Sequence, residues 1–212
     1  ALPIYPGLDQ SHALYVYEAA TGARHHDYRV CGAEAIEQES GKHIPLTKLA
    51  YTAIDRIAPQ RAAIVEALLV YADTDTLCYR VPEEELKTLQ KQKWDVVVGW
   101  SSLLLGCKWE VVEGIMPLDQ SAKLHEALKT YLDKKDDFTL AAFSVLASGF
   151  SSLILAQAVV ENHLSAAEAF ALSRLEEDFS AEKWGEDAEA KSRADAMRAE
   201  MLAAGEFLRL LA

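Results

Sequence analysis

From Pro45 onward, apolar residues recur at three- and four-residue steps, the spacing of one helix face. Leu46, Leu49, Ala50, Ala53, Ile54 and Ile57 share such a face and predict a first helix. Pro59 opens a second, with Ala62, Ile64, Val65, Leu68 and Leu69 on its apolar side. Pro82 suits the first turn of a third, where Glu83, Glu84 and Glu85 favour the positive end of the helix dipole. Gly106 would stop that helix, and Ser121–Leu132 predicts a fourth. Ser165 and Glu168 form a capping-box pair ahead of Ala169, Phe170, Leu172 and Leu175. Trp184-Gly185 interrupts or ends that helix. From Glu186 an Ala/Glu/Lys/Arg-rich helix is expected to about Ala204, with Phe207–Leu211 packing back.

Between these lies Phe138–Val160, which contains no charged residue. Its length would span a bilayer. Against that, Ser144, Ser148, Ser151, Ser152 and Gln157 interrupt it, Asp136 and Asp137 precede it, and no Lys/Arg cluster flanks it. The expectation is one central helix of a bundle, buried on nearly all sides, with Ala147, Ser148, Gly149, Ser151 and Ser152 allowing close approach.

Before Pro45 the texture differs. Two Tyr/Val-rich runs, Ala13–Tyr17 and Tyr28–Cys31, flank Thr21-Gly22 and predict a strand pair around a turn. A hairpin alone is marginal in water, so it must pack on something else. Cys107–Glu113 reads as a short strand that could pair with it. The expected fold class is therefore α+β, with a small N-terminal β-containing part at 1–45 and a larger, mostly α-helical domain at 46–212.

Composition narrows the function. Half of the residues (50%) are hydrophobic, which excludes a largely disordered chain. Lys+Arg is 21 against 33 Asp+Glu, a net charge of −12, so the basic footprint of a nucleic-acid binder is missing. The same charge leaves room for a basic partner. Cys31, Cys78 and Cys107 are an odd, sparse set that fits a reducing compartment. Ala1–Gln10 has no cationic and no apolar region of the kind a signal peptide carries, so none is expected.

Residue patterns that carry chemistry are few. The sequence has no phosphate loop, no dinucleotide fingerprint and no nucleophile elbow. His25 and His26 are adjacent and cannot share a face, and Cys31 follows at no standard zinc spacing. No metal, no cofactor and no catalytic residue is expected. Asp73-x-Asp75 sits at a helix junction; it is either an acid/base or cation pair or a set of caps for orphan backbone donors. Trp94, Trp100 and Trp109 are either core or the wall of a binding groove.

The densest charge lies at Glu176, Glu177, Asp178, Glu182, Glu186, Asp187 and Glu189, with only Lys183 among them. On one helix Asp178, Glu182 and Glu186 would stack at four-residue steps and repel. A solvated face is one reading. Trp184 beside the cluster makes it the best candidate for a docking surface.

Several stretches together resemble a known family. They are Pro45–Arg56 (PLTKLAYTAIDR), Tyr71–Arg80 (YADTDTLCYR), Trp94-Asp95 followed by Trp100, Val112–Pro117 (VEGIMP), Leu172–Phe179 (LSRLEEDF) and Trp184-Gly185-Glu186. Their order and spacing are similar to those of the assembly chaperones that handle the α subunit of F-type ATP synthase. The first 43 residues fit less well: where relatives have a clearer Asp-Gly-Arg-Pro hairpin, this chain has Glu18–His26 (EAATGARHH).

The resemblance implies a non-enzymatic molecular chaperone for assembly of the catalytic sector. It would bind the free α subunit, prevent its aggregation and be displaced by the β subunit. It also implies a small β-containing N-terminal domain before a larger helical one, and functionally important acidic positions in the helical part. Carried over, these give a partner-binding set of Glu176, Glu177, Asp178, Trp184, Glu186 and Asp187. Asp73, Asp75, Cys78, Tyr79, Trp94, Glu113 and Gly114 match the family's structural motif and are assigned to holding the two parts together. A monomer in a bacterial cytoplasm, or in the mitochondrial matrix, is expected. The competing readings are a generic helical adaptor and an enzyme using Asp73/Asp75 or Glu176–Asp178.

Overall fold

Pro45 begins the first helix of the computed structural model, which describes residues 45–185 and 187–211. The expected strand pair at Ala13–Tyr17 and Tyr28–Cys31, and the domain boundary it implies, lie outside the described residues. Helix α1 (Pro45–Thr52) runs through a π-helical turn at Ala53–Ile57 into α2 (Ala58–Leu69). Two short 3₁₀ turns, Val70–Ala72 and Thr76–Cys78, lead to strand β1 (Tyr79–Arg80). The long helix α3 (Glu84–Leu105) follows, then β2 (Val112–Glu113), α4 (Ala122–Asp133), α5 (Asp137–Phe150) and α6 (Leu153–Val160). The described chain closes with α7 (Ala166–Ser173), α8 (Leu175–Trp184) and α9 (Ala188–Leu211).

Most boundaries follow local chemistry. Gly106 caps α3 with φ 62, a left-handed conformation that glycine adopts without steric cost. Ser121 caps α4 by accepting the Leu124 N–H, and Asp136 caps α5 by accepting from Phe138 and Thr139. The Ser165–Glu168 capping box is complete. Pro82, expected inside the third helix, instead precedes its N-cap, Glu83, which holds an extended ψ of 116.

Three expectations need correction. Phe138–Val160 is two helices, not one. Ser151 takes a left-handed conformation (φ 51) and ends α5, and Ser152 turns extended and caps α6 through the Leu155 N–H. The helix opened by the capping box breaks at Arg174, between α7 and α8. Of Cys107–Glu113 only Val112–Glu113 is a strand, because the Trp109 N–H is taken by the Ser102 hydroxyl and the Glu110 N–H by the Gln120 amide. Its partner among the described residues is β1, paired in parallel with Tyr79 opposite Val112 and Arg80 opposite Glu113.

Helices α5 and α6 fill the centre: Phe143, Leu146, Leu153, Leu155 and Ala158 are fully buried. Helix α9 packs on α5, α7 and α1, while α3 packs on α6 and α4. Helix α9 also runs unbroken to Leu211 and buries Phe207 within its own length. No helix among the described residues is long and apolar enough to cross a membrane.

Candidate functional site

The acidic residues of α8 do not all face water. Glu176 is half-buried, and its Oε1 accepts a hydrogen bond from Gln90 Nε2 at 2.6 Å. Gln90 is itself buried and accepts the Val81 N–H at 3.0 Å. Burial pushes the Glu176 carboxyl above its ordinary value and the charge of Glu177 adds to this, while the Gln90 contact opposes both. Glu177 and Asp178 are exposed and stand 3.8 and 3.7 Å from the Arg174 guanidinium, loose surface pairs. Lys183 is drawn to the other side of the helix, where it pairs with Glu83 and Glu85 at 2.8 and 2.7 Å.

Gly185, at φ 93, ends α8. Asp178 and Glu182 share a face of α8, which ends at Trp184; Glu186, expected to continue their stack, lies outside the described residues. Trp184 is 85% exposed at the end of α8. Asp187 turns back to accept the Ala190 N–H at 2.8 Å and caps the first turn of α9. Between α8 and α9 opens a cleft of about 910 Å³. Glu176, Glu177, Asp178, Trp184 and Asp187 all line it, so the fold brings together five of the six candidate partner-binding residues. Phe170, Ala194 and Met197 complete its apolar parts. Phe170 was read in the sequence only as an inward helix-face residue, and Ala194 and Met197 were not singled out. The only clue is that Ala190, Ala194 and Met197 recur at helical spacing.

The second candidate set ties elements of the helical part to one another, while the N-terminal part that it was expected to hold lies outside the described residues. Asp75 is fully buried, accepts the Leu77 N–H at 3.0 Å with Oδ1 and accepts the Ile154 N–H at 3.1 Å with Oδ2. Burial pushes its carboxyl up to about 6, against the backbone and Ser152 hydrogen bonds that favour the charged form. Thr76 adds two bonds to the Ser151 carbonyl, both 3.0 Å. Asp73 accepts the Gln120 N–H at 2.8 Å and faces His125 Nε2 at 3.3 Å. The Tyr79 hydroxyl donates to the Asp73 carbonyl at 2.6 Å and accepts the Leu118 N–H at 3.2 Å.

Cys78 is buried, and burial followed by the charge of Asp75 pushes its thiol far above the ordinary range, so it is inert as a nucleophile. Gly114, at φ 93, donates its N–H to the Arg80 carbonyl, and Glu113 meets Lys87 at 3.3 Å. Trp94 is fully buried beneath the Arg80 guanidinium, with its indole N–H on the Leu172 carbonyl at 3.0 Å. Trp109 is buried as well, whereas Trp100 is partly exposed and stacks on His163 at 4.3 Å. Both oxygens of Asp75 are taken by backbone donors, so Asp73 and Asp75 do not form a pair open to substrate. Among the described residues no group of three or more His, Cys, Asp or Glu could hold a metal ion.

Comparison with known proteins follows the same outline. The family model described as ATP12 chaperone protein matches residues 29–102. The mitochondrial protein atp12 of Schizosaccharomyces pombe is 27% identical over 153 residues, covering 68% of this chain and 53% of that protein. The chain thus spans about half the length of this curated relative. The crystal structure of Atp12 from Paracoccus denitrificans is 35% identical with a TM-score of 0.77, over 80% of this chain and 73% of that one. An aspartate-to-lysine mutant of the P. denitrificans protein is 31% identical with a TM-score of 0.80, over 86% of this chain and 82% of that one. At this identity over most of both chains, the protein belongs to the ATP12 chaperone family.

Proposed function

We propose that this chain is an assembly chaperone of F-type ATP synthase: it binds the free α subunit, keeps it from aggregating and yields it to the β subunit. The observation that carries this reading is the open acidic cleft between α8 and α9, with Trp184 exposed at its end, in a chain of this family. A subunit destined for a permanent interface exposes a large apolar surface while unpaired, which is prone to aggregate. A holder must cover that surface and then lose to the true partner. An advantage of about 1.4 kcal/mol for β over the chaperone shifts the exchange tenfold.

The net charge of −12 draws a basic surface in from a distance, and the carboxylates of the cleft orient it. Glu176, Glu177 and Glu186 meet basic residues of the α subunit in this reading, with Trp184 as a neighbouring anchor. The work is binding and release, without catalysis or cofactor, and it is assigned to a bacterial cytoplasm or a mitochondrial matrix.

Co-expression with the α subunit alone tests the reading. Soluble α that co-purifies at fixed stoichiometry, and leaves when β is added, supports it. An α subunit that aggregates regardless of this chain rejects it.

A further inference from the structure

A second, more apolar groove of about 740 Å³ runs beside the acidic cleft. The π turn, α2 and the 3₁₀ turn after it form one wall with Ile57, Ile64 and Tyr71; α5 gives Val145, and α9 closes the groove with Met197 and Met201. Its floor on α5 is made of small residues, Ala141, Ser144 and Ser148. Gly149 lets the buried Met201 sit against α5: a Cβ there would stand 2.4 Å from the Met201 sulfur. Met197 and Arg193 line both this groove and the acidic cleft, so the two are continuous across α9. At that junction Met197 is 40% exposed, and the Arg193 guanidinium is held by Glu189 at 2.6 Å.

We propose that groove and cleft form one trough that takes an amphipathic client segment, its apolar face on Met197 and its Lys/Arg end against Glu177, Asp178 and Asp187. This rests on the chaperone reading above and specifies which part of the client is held. An apolar groove between helices, floored by small side chains and edged by an unbranched thioether, is the setting in which one helix face docks. Charge selects the occupant. A second copy of this chain carries −12 and is repelled from the acidic end. Residues 1–44 carry three basic residues (Arg24, Arg29, Lys42) against six acidic ones, and fit no better. A client segment with cations beside an apolar face fits both ends.

The test places a photoreactive benzophenone side chain at position 197 of the full chain, co-expressed with the α subunit. Position 103 serves as control, since Leu103 is 85% exposed on α3 and lines neither part of the trough. Illumination at 197 is expected to join α through a peptide with Lys or Arg next to an apolar helical face, and illumination at 103 is not. Adducts at 197 to residues 1–44, to a second copy, or to an α peptide lacking cations overturn the proposal. If α co-purifies with the chain yet no adduct forms at 197, the trough is wrong and the chaperone reading stands. If α does not co-purify at all, both fall. As a second variant, Ser144→Phe fills the groove without changing charge and is expected to weaken retention of α by about tenfold. A Ser144→Phe chain that melts like the parent and retains α equally overturns the trough. Should that variant fail to fold, the adduct at 197 decides.

Discussion

Asp75 caps a helix that begins far along the chain: its Oδ2 accepts the N–H of Ile154, 79 residues away. The same side chain holds the Leu77 N–H, so one carboxylate fixes both a 3₁₀ turn and the start of α6.

Asp75→Ala would leave the Leu77 and Ile154 N–H groups buried without that partner. Hydrogen bonds to a charged group contribute about 1.5–3 kcal/mol each, and a buried unpaired donor costs about as much. A loss of about 3 kcal/mol is expected by urea denaturation. A midpoint within error of the parent would remove Asp75 from the structural joint.

The raised Asp75 carboxyl gives stability a pH dependence of definite sign. Its folded value of about 6 lies above the ordinary 3.8, so the folded state holds the proton more tightly. That contribution is complete below about 3.8 and is lost as pH rises through about 6. Measured against Asp75→Asn, which does not titrate, the parent is expected to lose about 2 kcal/mol of relative stability between pH 4 and 7. A flat difference would mean that the site does not hold the proton.

Glu177→Lys separates binding from folding. Glu177 is exposed and its pair with Arg174 is long at 3.8 Å, so the melt should move by no more than about 0.5 kcal/mol. Retention of the α subunit should nevertheless fall, and in the parent it should weaken as salt is raised, since exposed charges are screened. Equal retention by Glu177→Lys and by Glu186→Lys, with both variants folded, would sink the assignment of the acidic cleft.

Gly149→Ala probes the packing beneath α9. The added methyl meets Met201 at a distance side chains cannot hold, so α9 or the thioether must shift. Overpacking costs about 1–3 kcal/mol, but here it falls on the end of a flexible side chain and alanine regains about 1 kcal/mol inside a helix, so a small net drop in the thermal midpoint is expected. An unchanged or raised midpoint would mean that Met201 gives way at a cost no greater than that gain.

These sites show what a sequence can and cannot reveal. Gly106, Ser121 and the Ser165–Glu168 box carry their meaning within a few residues, and the helix ends they predict are where the structure puts them. The break at Ser151–Ser152 is different. Locally the stretch is an uncharged run with no Gly or Pro at the break itself, and part of what holds the break open, Asp75 and Thr76, comes from a distant turn. The acidic cluster was legible as charge, but the inward turn of Glu176 depends on Gln90 across a helix interface. The groove by Met197 was hidden for the same reason: its walls come from three separate helices and a π turn.

The contact between Gln90 and Glu176 bears on how such a surface lets go. A cation at the Glu176 carboxylate finds Oε1 already accepting from Gln90 Nε2 and must share that oxygen or use the other. At Glu177 it displaces water and a loosely placed Arg174. Two neighbouring carboxylates of α8 therefore offer a cation unequal grips, one already engaged and one nearly free.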